Sequence, residues 1–268
     1  MVSGSSRHFK SLRMRAGPRT GAHAPAEETH ALTRAIIAAF MIGLSVPAMA
    51  QDAAPATPAA AQMTPDQVTA FNKAVADFTA AQAAQQGGDN AGALAKYEAA
   101  LPAICTAVQV QPGNIDNVNF LANALYAAAA AAGAQQQIDK TLALYEESVP
   151  HWRTVVEAKP TDATSRNILA GILVQLGNAK LAKQDKAGAA PLYAEGLALA
   201  RKSFAENASD SIVKNLHLSA LIGASQTSED AAIKTEATTT AKAMLADGSV
   251  DAVNKPAAQA LAGITPGA

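Results

Sequence analysis

The stretch TLALYEESVPHWRTVVEAKPTD, residues 141–162, decides the fold. Read alone it looks like a site: it holds the only tryptophan of the chain, Trp152, beside His151, with Glu146 and Glu147 one turn before. Set against ALAKYEAALPAICTAVQVQPGN, residues 93–114, it becomes one copy of a longer pattern. Leu94 meets Leu142, Tyr97 meets Tyr145, Glu98 meets Glu146, Pro102 meets Pro150, Thr106 meets Thr154 and Pro112 meets Pro160, always 48 residues apart without a gap. A further 48 residues on, Leu192, Tyr193, Glu195 and Leu197 hold the same register. The segments that precede these copies begin at Asn119, Asn167 and Asn215, again 48 apart.

Apolar residues in those preceding segments recur at helical spacing, as in Ile168, Leu169, Ile172, Leu173 and Leu176. The unit is therefore a helix, a short turn and a second helix, with polar turns at residues 86–90 and 183–188. About four such units fill residues 66–249, the last with Ala241 in the tyrosine column. Of the 268 residues 49% are hydrophobic, inflated by alanine, and no segment reads as a strand series, so the expected class is all-α. Ile104, Ala107 and Val108 keep helical spacing after Pro102, as do Trp152, Val155 and Val156 after Pro150. One kinked helix is expected at each proline rather than two helices. Pro191 is placed in the first turn of its helix, where proline is tolerated. Residues 250–268 carry one apolar pattern, Val253 to Leu261, expected to cap the last unit.

These residues resemble the tetratricopeptide repeat (TPR) family. The first helices carry small residues at Ala81, Ala129, Gly177 and Ser225; the second carry Ala93, Thr141, Ala189 and Ala237, then the tyrosines, then Ala100, Ser148 and Gly196. GDNAGALAKYEAAL (88–101) and QDKAGAAPLYAEGLALA (184–200) look most like the family, the latter like the long repeats of kinesin light chains. The resemblance implies a right-handed superhelical solenoid of antiparallel helix pairs whose first helices line an inner groove. The usual family unit is shorter than 48 residues, and the extra length is assigned to both helices. Degenerate motifs of this kind specify fold far more than function.

The N-terminal region reads differently. Residues 34–50, RAIIAAFMIGLSVPAMA, have a basic flank at Arg34, a ten-residue apolar run from Ala35 to Leu44, a helix breaker at Pro47 and an A-x-A site ending at Ala50. That order is a secretory signal peptide, with cleavage expected after Ala50 and a periplasmic or secreted product. Residues 1–33 are a basic, disordered segment, and 51–65 an Ala/Pro-rich linker. Residues 1–50 hold six of the 21 Lys/Arg and two of the 22 Asp/Glu, so fifteen basic and twenty acidic residues remain beyond them, a formal charge of −5. A mildly acidic surface argues against nucleic acid as a partner. Cys105 is the only cysteine, which excludes an intrachain disulfide and reads as a small buried hydrophobe.

No H-E-x-x-H, paired cysteine, phosphate loop or nucleophile elbow occurs, and the two histidines beyond residue 50, His151 and His217, fall in different kinds of helix. Neither an enzyme nor a cofactor or metal site is expected. Glu146 and Glu147 read as a solvated helix face, and Trp152, which meets Ile104, as a packing residue. The suggestive feature is an amide column on the first helices. Asn119, Asn123 and Tyr126 share one face; Asn167, Val174 and Asn178 sit equivalently, as do Asn215, Ile222 and Gln226. Side-chain amides both donate and accept, so a ladder of them can hold a peptide by its backbone. The competing reading is that these asparagines serve local backbone groups. The chain is expected to be an exported scaffold for a protein or peptide, with a structural subunit of an envelope assembly as the alternative. Translation is expected to start downstream of Met1, at Leu32 through a non-AUG codon. N-terminal sequencing of the precursor checks this, and a precursor beginning at Met1 overturns it.

Overall fold

A computed structural model describes residues 62–264, so the assignments to residues 1–33, 34–50 and most of 51–65 lie outside the described residues. Those residues form nine α-helices and no strand. They are α1 (Pro65–Gln86), α2 (Asn90–Val110), α3 (Ile115–Ala134), α4 (Ile138–Ala158), α5 (Ala163–Ala182), α6 (Lys186–Glu206), α7 (Ser211–Thr227), α8 (Ala231–Ala246) and α9 (Lys255–Ala262). The most extensive packing is within the pairs α1/α2, α3/α4 and α5/α6; each of these pairs then packs on the next, and α9 packs on α8. The all-α class and the consecutive helix pairs agree with the pattern in the sequence.

Capping explains where the helices start. Asn114, Asp162 and Asp210 each accept from two backbone N–H groups of the first turn of α3, α5 and α7. The residue that ends the preceding helix also recurs 48 residues on: Gln111, Lys159 and Asn207 share ψ of 66, 66 and 68°, and each donates its N–H to the carbonyl four residues back. Asp89 and Asp185 cap α2 and α6, whereas Gln137, at the equivalent place before α4, makes no side-chain cap. The turns between paired helices also share a left-handed residue, Gly88, Gln136 and Gln184, with φ of 87, 59 and 62°. Glycine adopts that conformation freely and glutamine does not.

Helices α2 and α4 run through Pro102 and Pro150 as single helices. Both prolines are exposed, so the carbonyls they deprive of an N–H, those of Glu98 and Glu146, lie on a wet face. Thr106 and Thr154 donate their hydroxyls to the carbonyls of Pro102 and Pro150. Pro191 departs from its expected place. The Asp185 cap starts α6 at Lys186, which puts Pro191 in the second turn, inside the helix.

The core lies where tyrosines of second helices meet small residues of first helices. Tyr193 is fully buried and so tightly held that a Cβ on Gly177 would come within 2.9 Å of its ring, and one on Gly223 within 1.9 Å. Tyr97 is likewise buried, among Ala81, Ala127 and Ala128. Ile104, Trp152 and Ala200, which share a register, are all fully buried, so Trp152 is a packing residue. Phe120 packs edge-on against both Phe71 and Phe78, tying α3 to α1. On the outside, half-exposed ion pairs join successive second helices: Glu98 with Lys140 at 2.7 Å, Arg153 with Glu195 at 2.6 Å, and Arg201 with Glu236.

Two glycine substitutions separate the effects of space and propensity. A Cβ at Gly171 meets nothing within 4 Å, so Gly171→Ala in mid-helix is expected to stabilise by about 0.5–1 kcal/mol. Gly223→Ala is expected to destabilise by about 1–3 kcal/mol despite the same gain in helix propensity, because the Tyr193 ring must be displaced. Thermal or denaturant melts of the two variants check the opposite signs.

Candidate functional site

The amide column begins on α3. Asn119 and Asn123 are half-buried, and Asn123 Nδ2 donates to both the Asn119 carbonyl, at 2.8 Å, and Asn119 Oδ1, at 3.0 Å. That leaves Asn119 Nδ2 and Asn123 Oδ1 without a bond to a described residue. Tyr126, one turn further, is half-buried and stacks on Tyr145, ring centres 6.1 Å apart. Burial raises both phenols, Tyr145 to about 12, so both stay neutral at physiological pH.

On α5 the column is split. Asn167 is half-buried; its Oδ1 is shielded from solvent and has no hydrogen-bond partner. Val174 is buried, and Asn178, at the far end, is exposed and accepts from the Tyr193 hydroxyl at 2.6 Å. On α7 the amide at Asn215 turns inward. Its Nδ2 donates to the carbonyls of Ser211 and Ser249, both at 2.9 Å, and its Oδ1 accepts from the Asp251 N–H. Asn254 adds a bond to the Asn215 carbonyl and accepts from Ser219. This knot moors the segment before α9 to α7. Ile222 is buried, and Gln226 is exposed and bonded to the Ile222 carbonyl. The structure thus brings together Asn119 and Asn123, keeps Asn167 and Gln226 apart from other amides, and commits Asn178 and Asn215 to holding neighbouring groups.

Two polar features escaped pattern reading. Arg166 is 1% exposed. Its Nε donates to Ser203 Oγ at 2.9 Å, its Nη1 to the Pro160 carbonyl at 3.2 Å, and its Nη2 pairs with Glu206. One unit earlier Val118 and Val155 stand where Arg166 and Ser203 do, and Ala158 where Glu206 does, so a buried guanidinium paired with a half-exposed carboxylate replaces an apolar contact. The signal was weak, because the column that holds Val118 one unit earlier holds Lys214 one unit later. His217 occupies a column that holds Leu121 and Leu169 in the two preceding units. It is 5% exposed, stacks on Phe204 with ring centres 4.7 Å apart, and keeps Nε2 3.4 Å from Glu236. Burial lowers its pKa, the Glu236 carboxylate opposes that, and Arg201 adds to the lowering. Among the described residues no group of three or more His, Cys, Asp or Glu is placed to hold a metal ion. No described helix is long and apolar enough to cross a membrane. No protein-family model matches the chain, and no curated protein is significantly similar to it in sequence.

The His217 environment sets a pH dependence. The folded state keeps the ring neutral, whereas the unfolded chain binds a proton near the ordinary value of about 6.5. The stabilisation from a neutral His217 is therefore complete above about 6.5 and is lost as pH falls through that value toward the lowered folded pKa. His151, half-buried and shifted the same way, adds to the effect. Melting temperature is expected to fall between about pH 7.5 and about pH 5.5, and to fall less in His217→Leu, which supplies the residue of the two preceding units. Equal slopes in the two proteins would show that His217 does not contribute.

Proposed function

We propose that the protein is an exported TPR-like scaffold, a right-handed solenoid of about four 48-residue repeats, that binds a protein or peptide along its first helices and carries out no chemical conversion. The observation that carries this reading is the amide pair on α3, Asn119 and Asn123, with Asn167 in the same register on α5 and no described group bonded to its side chain. Amides that both donate and accept suit the backbone of a peptide and place little demand on its side chains. Solenoids offer extended surfaces of the kind such a peptide needs. The recurring caps and turns at 48-residue spacing support the repeat assignment. The signal-like segment at residues 34–50 and the acidic balance beyond it support export and a partner other than nucleic acid.

The binding surface in this reading comprises Asn119, Asn123, Tyr126, Asn167 and Asn178, with Gln226 at its far end. Asn215 belongs to the same register but is spent on Ser211, Ser249 and Asp251, so it serves the fold. Crosslinking under native conditions, followed by recovery of the partner, is the test. The double variant Asn119→Ala and Asn167→Ala is expected to lose the crosslinked partner while keeping its helical circular dichroism. Unchanged capture with an intact fold would sink the groove reading and favour a fixed subunit of an envelope assembly.

A further inference from the structure

Helices α4 and α5 pack less extensively than α2 with α3 or α6 with α7, and one column of the sequence differs at that junction. In the closer pairs the tyrosine of the second helix meets a small residue of the next first helix: Tyr97 packs in one cluster with Ala127, and Tyr193 on Gly223. The residue in that place on α5 is Gln175. Tyr145, the tyrosine in register with it, is only half-buried and stacks on Tyr126. A cleft of about 160 Å³ opens between α4 and α5.

Its walls are regular. On each helix the lining positions fall at i, i+3, i+4 and i+7, a single helical face. Leu142 from α4 and Leu176 from α5 line it, Asp139 and Glu146 stand on the α4 side, and Lys180 and Lys183 on the α5 side. None of these four charged groups makes an ion pair with another described residue. Nine residues on from Asn167, Leu176 lies about 180° round α5. The cleft therefore faces away from the amide column.

We propose that this cleft is a second docking site, for a helical segment of a partner protein that inserts one large apolar side chain between Leu142 and Leu176. Size decides between occupants. Pockets for cofactors and drug-sized molecules are about 300–1,000 Å³, whereas a cavity of about 150 Å³ admits a benzene ring. One aromatic or aliphatic side chain fits, and a cofactor does not. Charge decides the flanks. A helix lying in the cleft meets carboxylates on one side and ammonium groups on the other, so its anchor is bordered by basic residues along one edge and acidic residues along the other. Rotating such a helix end for end swaps its edges and sets like charges together, so the cleft fixes one chain direction for a given helix. The proposal rests on the protein-binding reading above and gives that partner a second contact on the opposite face.

The test is a titration of the full chain, carrying labelled leucine methyl groups and asparagine side-chain amides, with a blocked helical peptide that has one Leu, Lys along one flank and Glu along the other. The expected result is saturable shifts of the Leu142 and Leu176 methyls. Replacing the peptide's Leu with Ala, giving it Lys on both flanks, or using the Lys180→Glu and Lys183→Glu double variant is expected to weaken binding at least about tenfold. No leucine shift, or equal affinity for all three peptides, overturns the proposal. Shifts confined to the Asn119 and Asn167 amides overturn it too, while leaving the groove reading standing. Concentration-dependent shifts of the chain alone, without peptide, assign the cleft to a second copy and likewise overturn it.

Discussion

The contact between a tyrosine ring and a residue too small to obstruct it governs how closely successive helices lie. A helix backbone reaches its neighbour only where no side chain intervenes, and an aromatic ring fills the gap that remains. Tyr193 against Gly177 and Gly223 is the tightest instance, and Tyr97 among Ala81, Ala127 and Ala128 follows the same rule. At the α4/α5 junction, where the column holds Gln175, Tyr145 is only half-buried, stacks on Tyr126, and the two helices pack less extensively. The same column is small where successive units pack most closely and polar at the junction that packs least.

Much of this was legible because it is local or periodic. The 48-residue register, the small columns and the placement of Tyr97 and Tyr193 follow from counting, and Asn and Asp before an apolar run announce a helix start. Pro191 was misplaced by the same logic. The cap at Asp185 outweighs the preference of proline for a first turn, because a hydrogen bond to Gly188 sets the start and an exposed proline is tolerated farther in.

Long-range polar pairing was not legible. Arg166 and Glu206 stand 40 residues apart, and arginine in a helix ordinarily reads as a surface residue. Ordinary packing preferences place leucine, not histidine, in the His217 column. The amide column shows both outcomes. Its periodicity is real, but Asn178 and Asn215 are bound to groups 15 and 34 or more residues away, which spacing alone does not disclose. The Arg166–Glu206 pair adds little net stability, since the desolvation of the buried guanidinium offsets much of its attraction to a half-exposed carboxylate. It does make that junction intolerant of losing either partner.

The outer ion pairs have a mechanical consequence. Glu98–Lys140, Arg153–Glu195 and Arg201–Glu236 each link one second helix to the next, and all are half-exposed. Each contributes at most about 1 kcal/mol and is screened by salt, whereas the tyrosine contacts are apolar and are not. Added salt therefore weakens the links between successive second helices while leaving the ring contacts in place. The junctions between units are thus held by contacts of two kinds, of which only one answers to the ionic strength of the surroundings.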